Sequence, residues 1–298
     1  MTEALDHTRP LVASGNLRRR RLVNRLAESA ATGSALVAVA VLGLVVYSVA
    51  SRGAPVMSLD FLTQNPPAIE GQGAFGGIAP ALVGTGILML GATAIAMPVG
   101  ILIALYLTEF ASAQSARAIR LVLDLLNGLP TIVIGIFVFG LLVAGHGQRG
   151  SYGSFALAIV MLPLIARSSQ EMLLTVPHSL REAADALGVS RWRSVRGVIL
   201  PSAFGGIVTG TILAIARAAG ETAPLIFTTA IFAPQVTSDL FGQAMPNIPV
   251  YIFQASEAND PTGWARAWGA ALALMMFIFL ASTVARLVLR RSRKKLTG

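Results

Sequence analysis

ALVGTGILMLGATAIAMPVGILIALYL, residues 81–107, decides the class of fold. It lies inside a longer stretch, residues 71–108, that contains no charged side chain. At 1.5 Å of rise per residue a helix of that length runs about 40 Å, enough to cross a hydrocarbon core of about 30 Å. The rest of the chain has the same character. Of 298 residues, 54% are hydrophobic and only 12% charged, whereas soluble domains carry about 25% charged residues. A soluble fold of this length cannot hide so much apolar surface, so the expected solvent for most of it is a bilayer.

Working outward, apolar windows of spanning length recur at about residues 31–50, 125–143, 152–173, 202–223 and 267–289. With residues 81–107 they predict an all-α, polytopic membrane protein of six transmembrane helices. The window at 152–173 is the weakest, because Arg167 and Glu171 sit near its end, and that at 202–223 is interrupted by Arg217 and Glu221. The expected organisation is a basic tail (1–30), a first span (31–51), an outer loop (52–80), a helical core (81–289) and a second basic tail (290–298). The first span follows Arg18-Arg19-Arg20-Arg21, as a signal peptide would. Its uncharged run is longer than the 7–15 residues of a cleavable segment, so it reads as an uncleaved span.

Charge sets the direction. The net charge of +9 could suggest nucleic acid, but the basic residues cluster at the tails and between apolar runs. Six spans place both tails on one side, with Arg117, Arg120, Arg181, Arg191, Arg193 and Arg196 beside them. The opposite side keeps only Arg52, Arg149 and Arg266. This is the positive-inside pattern of a protein with cytoplasmic tails. It predicts a multi-pass protein of the cell (cytoplasmic, or inner) membrane that contacts lipid and not nucleic acid. There is no cysteine, hence no disulfide framework. Gly71-Gln72-Gly73-Ala74-Phe75-Gly76 matches GxGxxG formally, but no strand precedes it and the topology places it outside, whereas a dinucleotide site needs a βαβ unit. No Walker A, HExxH or GxSxG motif occurs. His146 and His178 have no ligand cluster around them.

Between the fourth and fifth windows lies Val176-Pro177-His178-Ser179-Leu180-Arg181-Glu182-Ala183-Ala184-Asp185-Ala186-Leu187-Gly188. It reads as a short helix, with Ser179 and Glu182 as a capping box and Gly188 as a left-handed stop. The alanines keep the helix slim, so another surface could approach closely. Ser190 offers a second N-cap for a basic helix leading to Leu200-Pro201. On these residues alone the segment is either a docking helix or a solvated connector.

The spacing says more. Glu182-Ala183-Ala184, three residues, Gly188, nine residues, then Val198-Ile199-Leu200-Pro201 resembles the EAA loop of ABC importer permeases, EAA-x3-G-x9-I-x-L-P, with valine for the isoleucine. The resemblance implies the MetI-like, type I importer permease architecture. It also implies a coupling helix at 179–188 that docks on a separate ATPase, with Glu182, Ala183, Ala184 and Gly188 as the coupling residues. The chain itself would then be no enzyme and bind no cofactor, ATP and its magnesium residing on the partner.

Arg217-Ala218-Ala219-Gly220-Glu221-Thr222-Ala223-Pro224-Leu225 is the second informative segment. An arginine inside the membrane costs at least about 2.5–3.5 kcal/mol on insertion scales. Helical spacing would put Arg217 and Glu221 on one face, where they could partly neutralise each other. They are read either as a self-compensating assembly pair or as the lining of a polar pathway, in which the arginine fork suits an oxyanion. Arg167 has the same two readings: a pathway residue, or one that reaches the interface or pairs with Glu171.

This segment resembles the R-A-x-G-E-T-A-P-L of the PstA-type permeases of phosphate importers. Gly76-Gly77-Ile78-Ala79-Pro80-Ala81, Gly128-Leu129-Pro130-Thr131-Ile132-Val133-Ile134-Gly135, Leu162-Pro163-Leu164-Ile165-Ala166-Arg167 and Pro249-Val250-Tyr251-Ile252 resemble further segments of that family. The threonine–alanine–proline after Glu221 and the last motif favour it over the sister PstC type. The resemblance implies phosphate as the cargo. It implies a PstC-type permease, an ATPase dimer and an extracytoplasmic phosphate-binding protein as partners. Arg167, Arg217, Glu221 and Thr222 are then the translocation pathway. The competing expectations are a permease for sulfate or molybdate, a membrane-embedded enzyme using Arg217 and Glu221, and a membrane sensor of phosphate status. Gly206 and Gly210 form a small-xxx-small pair suited to close helix packing, and Pro98 and Pro130 are candidate kinks.

Overall fold

The computed structural model describes residues 17–67, 76–229, 235–257 and 261–296. Residues 1–16 of the first tail, and the formal GxGxxG except Gly76, lie outside these residues. Among the described residues the fold is helical throughout, with no strand. Five helices are long and apolar enough to cross a membrane, and a bent pair supplies a sixth crossing when taken as one span.

Helix α1 (Leu17–Gly53) runs from the arginine cluster through the first apolar window. Its apolar side chains, such as Leu36, Leu42 and Tyr47, are more than 60% exposed. A helix apolar on all its faces has the composition of a membrane span. The compact unit begins at Arg52. Its outer segment is not a plain loop. Ser58 caps the short α2 (Leu59–Thr63), its hydroxyl accepting from the Phe61 amide at 3.1 Å, and Phe61 is buried beside Tyr251 and Ala270.

Helix α3 (Ala79–Leu105) takes Pro98 into its length without ending there and finishes in a π turn, Tyr106–Phe110. Helix α4 (Ala113–Gly128) is capped by Ser112, which accepts from the Ser115 amide. The expected third span, 125–143, is corrected here. Leu129 and Pro130 are extended, and α4 meets α5 (Thr131–Val138) at 99°. A proline disfavours helix in the residue before it, so residues 125–128 belong to α4 and only α5 with its π extension, Phe139–Val143, continues the span.

Helix α6 (Gly150–Leu174) read as the weakest span and is the most buried one, with 61% of its apolar window inside the chain. Small residues explain this. A Cβ on Gly91 or Gly100 of α3 would strike Ser154 or Ile165 of α6, so the two backbones close directly on each other. Helix α7 (His178–Ala186) and α8 (Arg191–Ser194) follow, and a π turn, Val195–Ile199, joins α8 to α9 (Leu200–Ala218). Pro201 lacks an amide hydrogen and its ring crowds the carbonyl four residues back, which the wider π turn relieves. The Gly206–Gly210 pair packs on α6, where its partners are Met172 and Ser168.

Helices α10 (Ala223–Thr229), α11 (Ile248–Glu257) and α12 (Pro261–Leu296) complete the unit. The second outer loop, expected at 231–266, thus contains α11 and the first turns of α12, and its residues 231–234 and 258–260 lie outside the described ones. Residues 240–248 are tied to the ends of the spans. The Gly150 and Ser151 amides donate to the Gln243 and Leu240 carbonyls at 2.8 and 2.7 Å, and the Ile248 amide donates to Thr85 Oγ1 at 2.9 Å. Arg266, counted as an outer-side loop charge, is 2% exposed in the second turn of α12.

Candidate functional site

Two clusters carry the charges singled out in the sequence. In the first, α9 stops at Ala218. The Gly220 and Glu221 amides turn back to the Arg217 and Ala218 carbonyls, and the chain restarts as α10. Gly220 is a poor helix residue, and Pro224 biases Ala223 away from continuing one. The break's depth follows from packing. Gly206 sits against Met172 and Gly210 against Ser168, so the antiparallel register carries Arg217 to about the level of Met161, near the middle of α6. Ala214 and Ala218 share a buried cluster with Met161, as that register requires.

The break changes the expected pairing. Glu221 lies beyond the helix end, so the helical spacing that was to align it with Arg217 does not exist. Neither side chain makes an ion pair or a side-chain hydrogen bond among the described residues. Arg217 is exposed and Glu221 half-buried. The Thr222 carbonyl accepts from the Leu225 and Ile226 amides and so opens α10. Arg167, six residues nearer the α7 end of α6 than Met161, stands about 9 Å away along the axis. Its ion-pair partner is Asp124 of α4, not Glu171. Both side chains are about half exposed.

The second cluster is the loop with the glutamate–alanine–alanine motif. Here the capping box is overturned. Pro177, at ψ 140°, is itself the residue before the helix, and α7 has no side-chain cap. Ser179 falls inside the first turn, two residues too late to cap, which leaves Glu182 free of that duty. Ser190 holds the N-cap position of α8 but its side chain makes no cap bond. The stop is as expected. Gly188 has φ +68°. The Val189 amide donates to the Ala184 carbonyl and the Gly188 amide to that of Asp185, both at 3.0 Å, which is the Schellman closure. Glu182, Ala183 and Gly188 are exposed; Ala184 is 7% exposed, turned into its own chain. Close approach by another protein is therefore open to the first three and not to Ala184.

Sequence reasoning missed one arrangement altogether. The Arg181 guanidinium donates to Glu109 Oε1 through Nε (3.3 Å) and Nη2 (3.2 Å). It also donates to the Val176 carbonyl (2.6 Å) and the Leu173 carbonyl (2.9 Å). Glu109 lies in the π turn after α3 and is 5% exposed. The only hint in the sequence is topological: Glu109 ends the long uncharged run on the same side of the membrane as Arg181.

Comparison with known proteins gives the family. The family described as binding-protein-dependent transport system inner membrane component matches residues 96–294. The chain is 37% identical over 281 residues to the phosphate transport system permease protein PstA of Xylella fastidiosa (strain Temecula1), covering 93% of this chain and 96% of that protein. It is 35% identical over 299 residues to PstA 1 of Mycobacterium tuberculosis (strain H37Rv), covering 98% and 97%. This chain belongs to the PstA-type permeases of the binding-protein-dependent transport family. Solved structures agree on the fold. An inward-facing form of the MetNI methionine ABC transporter aligns at TM-score 0.56 with 19% identity, covering 72% of this permease and 94% of that chain. An amino acid ABC transporter crystallised with histidines aligns at 0.52 with 21% identity, covering 79% and 100%. The permease is thus a multi-pass membrane protein with the type I importer architecture.

Proposed function

We propose that this permease forms half of the pathway by which an ATP-driven importer carries inorganic phosphate inward across the cytoplasmic membrane. The observation that carries the reading is the break between α9 and α10. It sets Arg217 near the middle of the bundle's depth, exposed and without a counter-ion among the described residues. Interrupted helices at mid-depth are where transporters handle ions, because the unwound backbone and a nearby charge replace water around the cargo. An arginine fork suits a tetrahedral oxyanion, and the similarity to PstA permeases over nearly the whole chain makes phosphate the cargo to test first.

In this reading Arg217 receives the anion, and Glu221 and Thr222 line the break beside it. Arg167 is a second station toward the cytoplasm, held by Asp124 until the anion arrives. A PstC-type permease supplies the other half of the path, and an extracytoplasmic phosphate-binding protein delivers the cargo. An ATPase dimer, holding ATP and magnesium, docks on α7 through Glu182, Ala183 and Gly188. The tails and α7 then face the cytoplasm.

The test is radiolabelled phosphate uptake by the assembled importer. Arg217→Ala should lower uptake about 100-fold, the scale of losing charge-assisted hydrogen bonds, with Arg217→Lys between the two. Excess sulfate or molybdate should not compete. Wild-type uptake in both variants removes Arg217 from the path, and competition by sulfate makes the permease a general oxyanion carrier.

A further inference from the structure

The arrangement around Arg181 joins parts of the chain that are far apart in sequence. Its guanidinium reaches four elements at once: α7 that bears it, the last turn of α6 through Leu173, the connector through Val176, and the π turn after α3 through Glu109. One of the carbonyls it binds, that of Leu173, lies in the last turn of α6 and also accepts from the Val176 amide; the other, that of Val176, lies just past the helix end. Glu109 is a carboxylate with 4% of its side chain exposed, and Arg181 has 18%. A carboxylate buried to that degree is tolerated only when paired. The same π turn is held a second time. The Arg191 guanidinium, at the start of α8, lies 5.7 Å from the centre of the Phe110 ring, within cation–π range. Both flanks of the Gly188 turn are thereby fastened to residues 109–110. That turn continues α3, which closes directly on α6.

We propose that Arg181 and Glu109 are the rigid link through which movement of α7 reaches α3 and α6. They act as positioning residues for coupling and touch no cargo. The inference rests on the reading of α7 as the helix that docks on the ATPase. The physical argument is directional. A push on α7 alone would have to break several charge-assisted bonds and strand a buried carboxylate, whereas moving α7 together with the ends of α3 and α6 breaks none of them. The fork geometry matters as well as the charge, because only a planar guanidinium can serve Glu109 and two carbonyls together.

The assembled importer in proteoliposomes, scored for phosphate uptake and ATP hydrolysis in one preparation, tests this. Glu109→Gln should lower uptake per ATP hydrolysed about tenfold while the ATPase still copurifies and the KM for phosphate is unchanged. Arg181→Lys, which keeps the charge and loses the fork, should lower that ratio too. Arg120→Gln, on an exposed face of α4, should leave it alone. Wild-type ratios in both link variants overturn the proposal. If the wild-type importer takes up no phosphate, the proposed cargo fails instead, and the ratio is scored on whichever solute is carried.

A second measurement reads the rigidity of the link by distance. The chain has no cysteine, so Ser112→Cys with His178→Cys gives two clean spin-label sites beside the π turn and on α7. The distance should stay single and narrow with and without ATP, and Glu109→Gln should broaden it. A wild-type distance that shifts with ATP also overturns the rigid link.

Discussion

The permease contains two arginine–glutamate couples, and they behave in opposite ways. Arg217 and Glu221 are four residues apart, at the spacing that pairs charges on a helix, yet among the described residues neither has an ion-pair partner, because the helix ends between them. Arg181 and Glu109 are 72 residues apart and make a buried, forked ion pair. Spacing along a chain predicts pairing only where the helix is continuous. In the proposed reading the first couple leaves a charge available for cargo and the second uses its charge to hold helices together, so the same two side-chain chemistries serve transport in one place and mechanics in the other.

Double-mutant cycles would break or sharpen this contrast. For Arg181→Ala and Glu109→Ala, unfolding in mixed micelles should give a coupling of about 3 kcal/mol, the scale of a buried charge deprived of its partner. A value near zero would make the pair ornamental. Next in size is Gly188→Val. Open space surrounds this glycine, so no clash arises. The cost is the left-handed backbone, about 1–2 kcal/mol, and the ATPase should copurify less well. If Gly188→Val is neutral in both assays, the Schellman closure does not define the docking surface. Asp124→Asn comes third. Its half-exposed bond to Arg167 should be worth about 1 kcal/mol or less by thermal shift. Smallest of all, the cycle on Arg217→Ala and Glu221→Ala should couple by less than about 0.5 kcal/mol, as residues without contact do. A large coupling there would mean that the two pair despite the break.

Most of the spans and the stop of the motif-bearing loop were legible because each is written locally: apolar length, and a glycine where the backbone turns left-handed. The break at residues 219–222 was half legible. Gly220 and Pro224 both speak against helix, yet the i,i+4 pattern of Arg217 and Glu221 spoke for it, and the backbone decided. Ser179 illustrates the same limit at the scale of one residue. Capping depends on which residue precedes the first helical one, and the conformation of Pro177 moved that position by two. The 99° corner at Leu129–Pro130 was hidden because apolar content runs through it unchanged. The Arg181–Glu109 bond could not be read at all, since no local pattern connects the end of α3 to the start of α7.

The 72-residue separation of Glu109 and Arg181 also sets an order of manufacture. The ribosome delivers α3 and its terminal carboxylate long before the guanidinium that will bury it exists. Until α7 emerges, Glu109 lacks the guanidinium that pairs with it in the finished chain. A chain arrested after α6 would carry an acid with no partner at a helix end meant to be closed. The bond that stiffens the finished permease therefore also distinguishes a complete chain from an unfinished one.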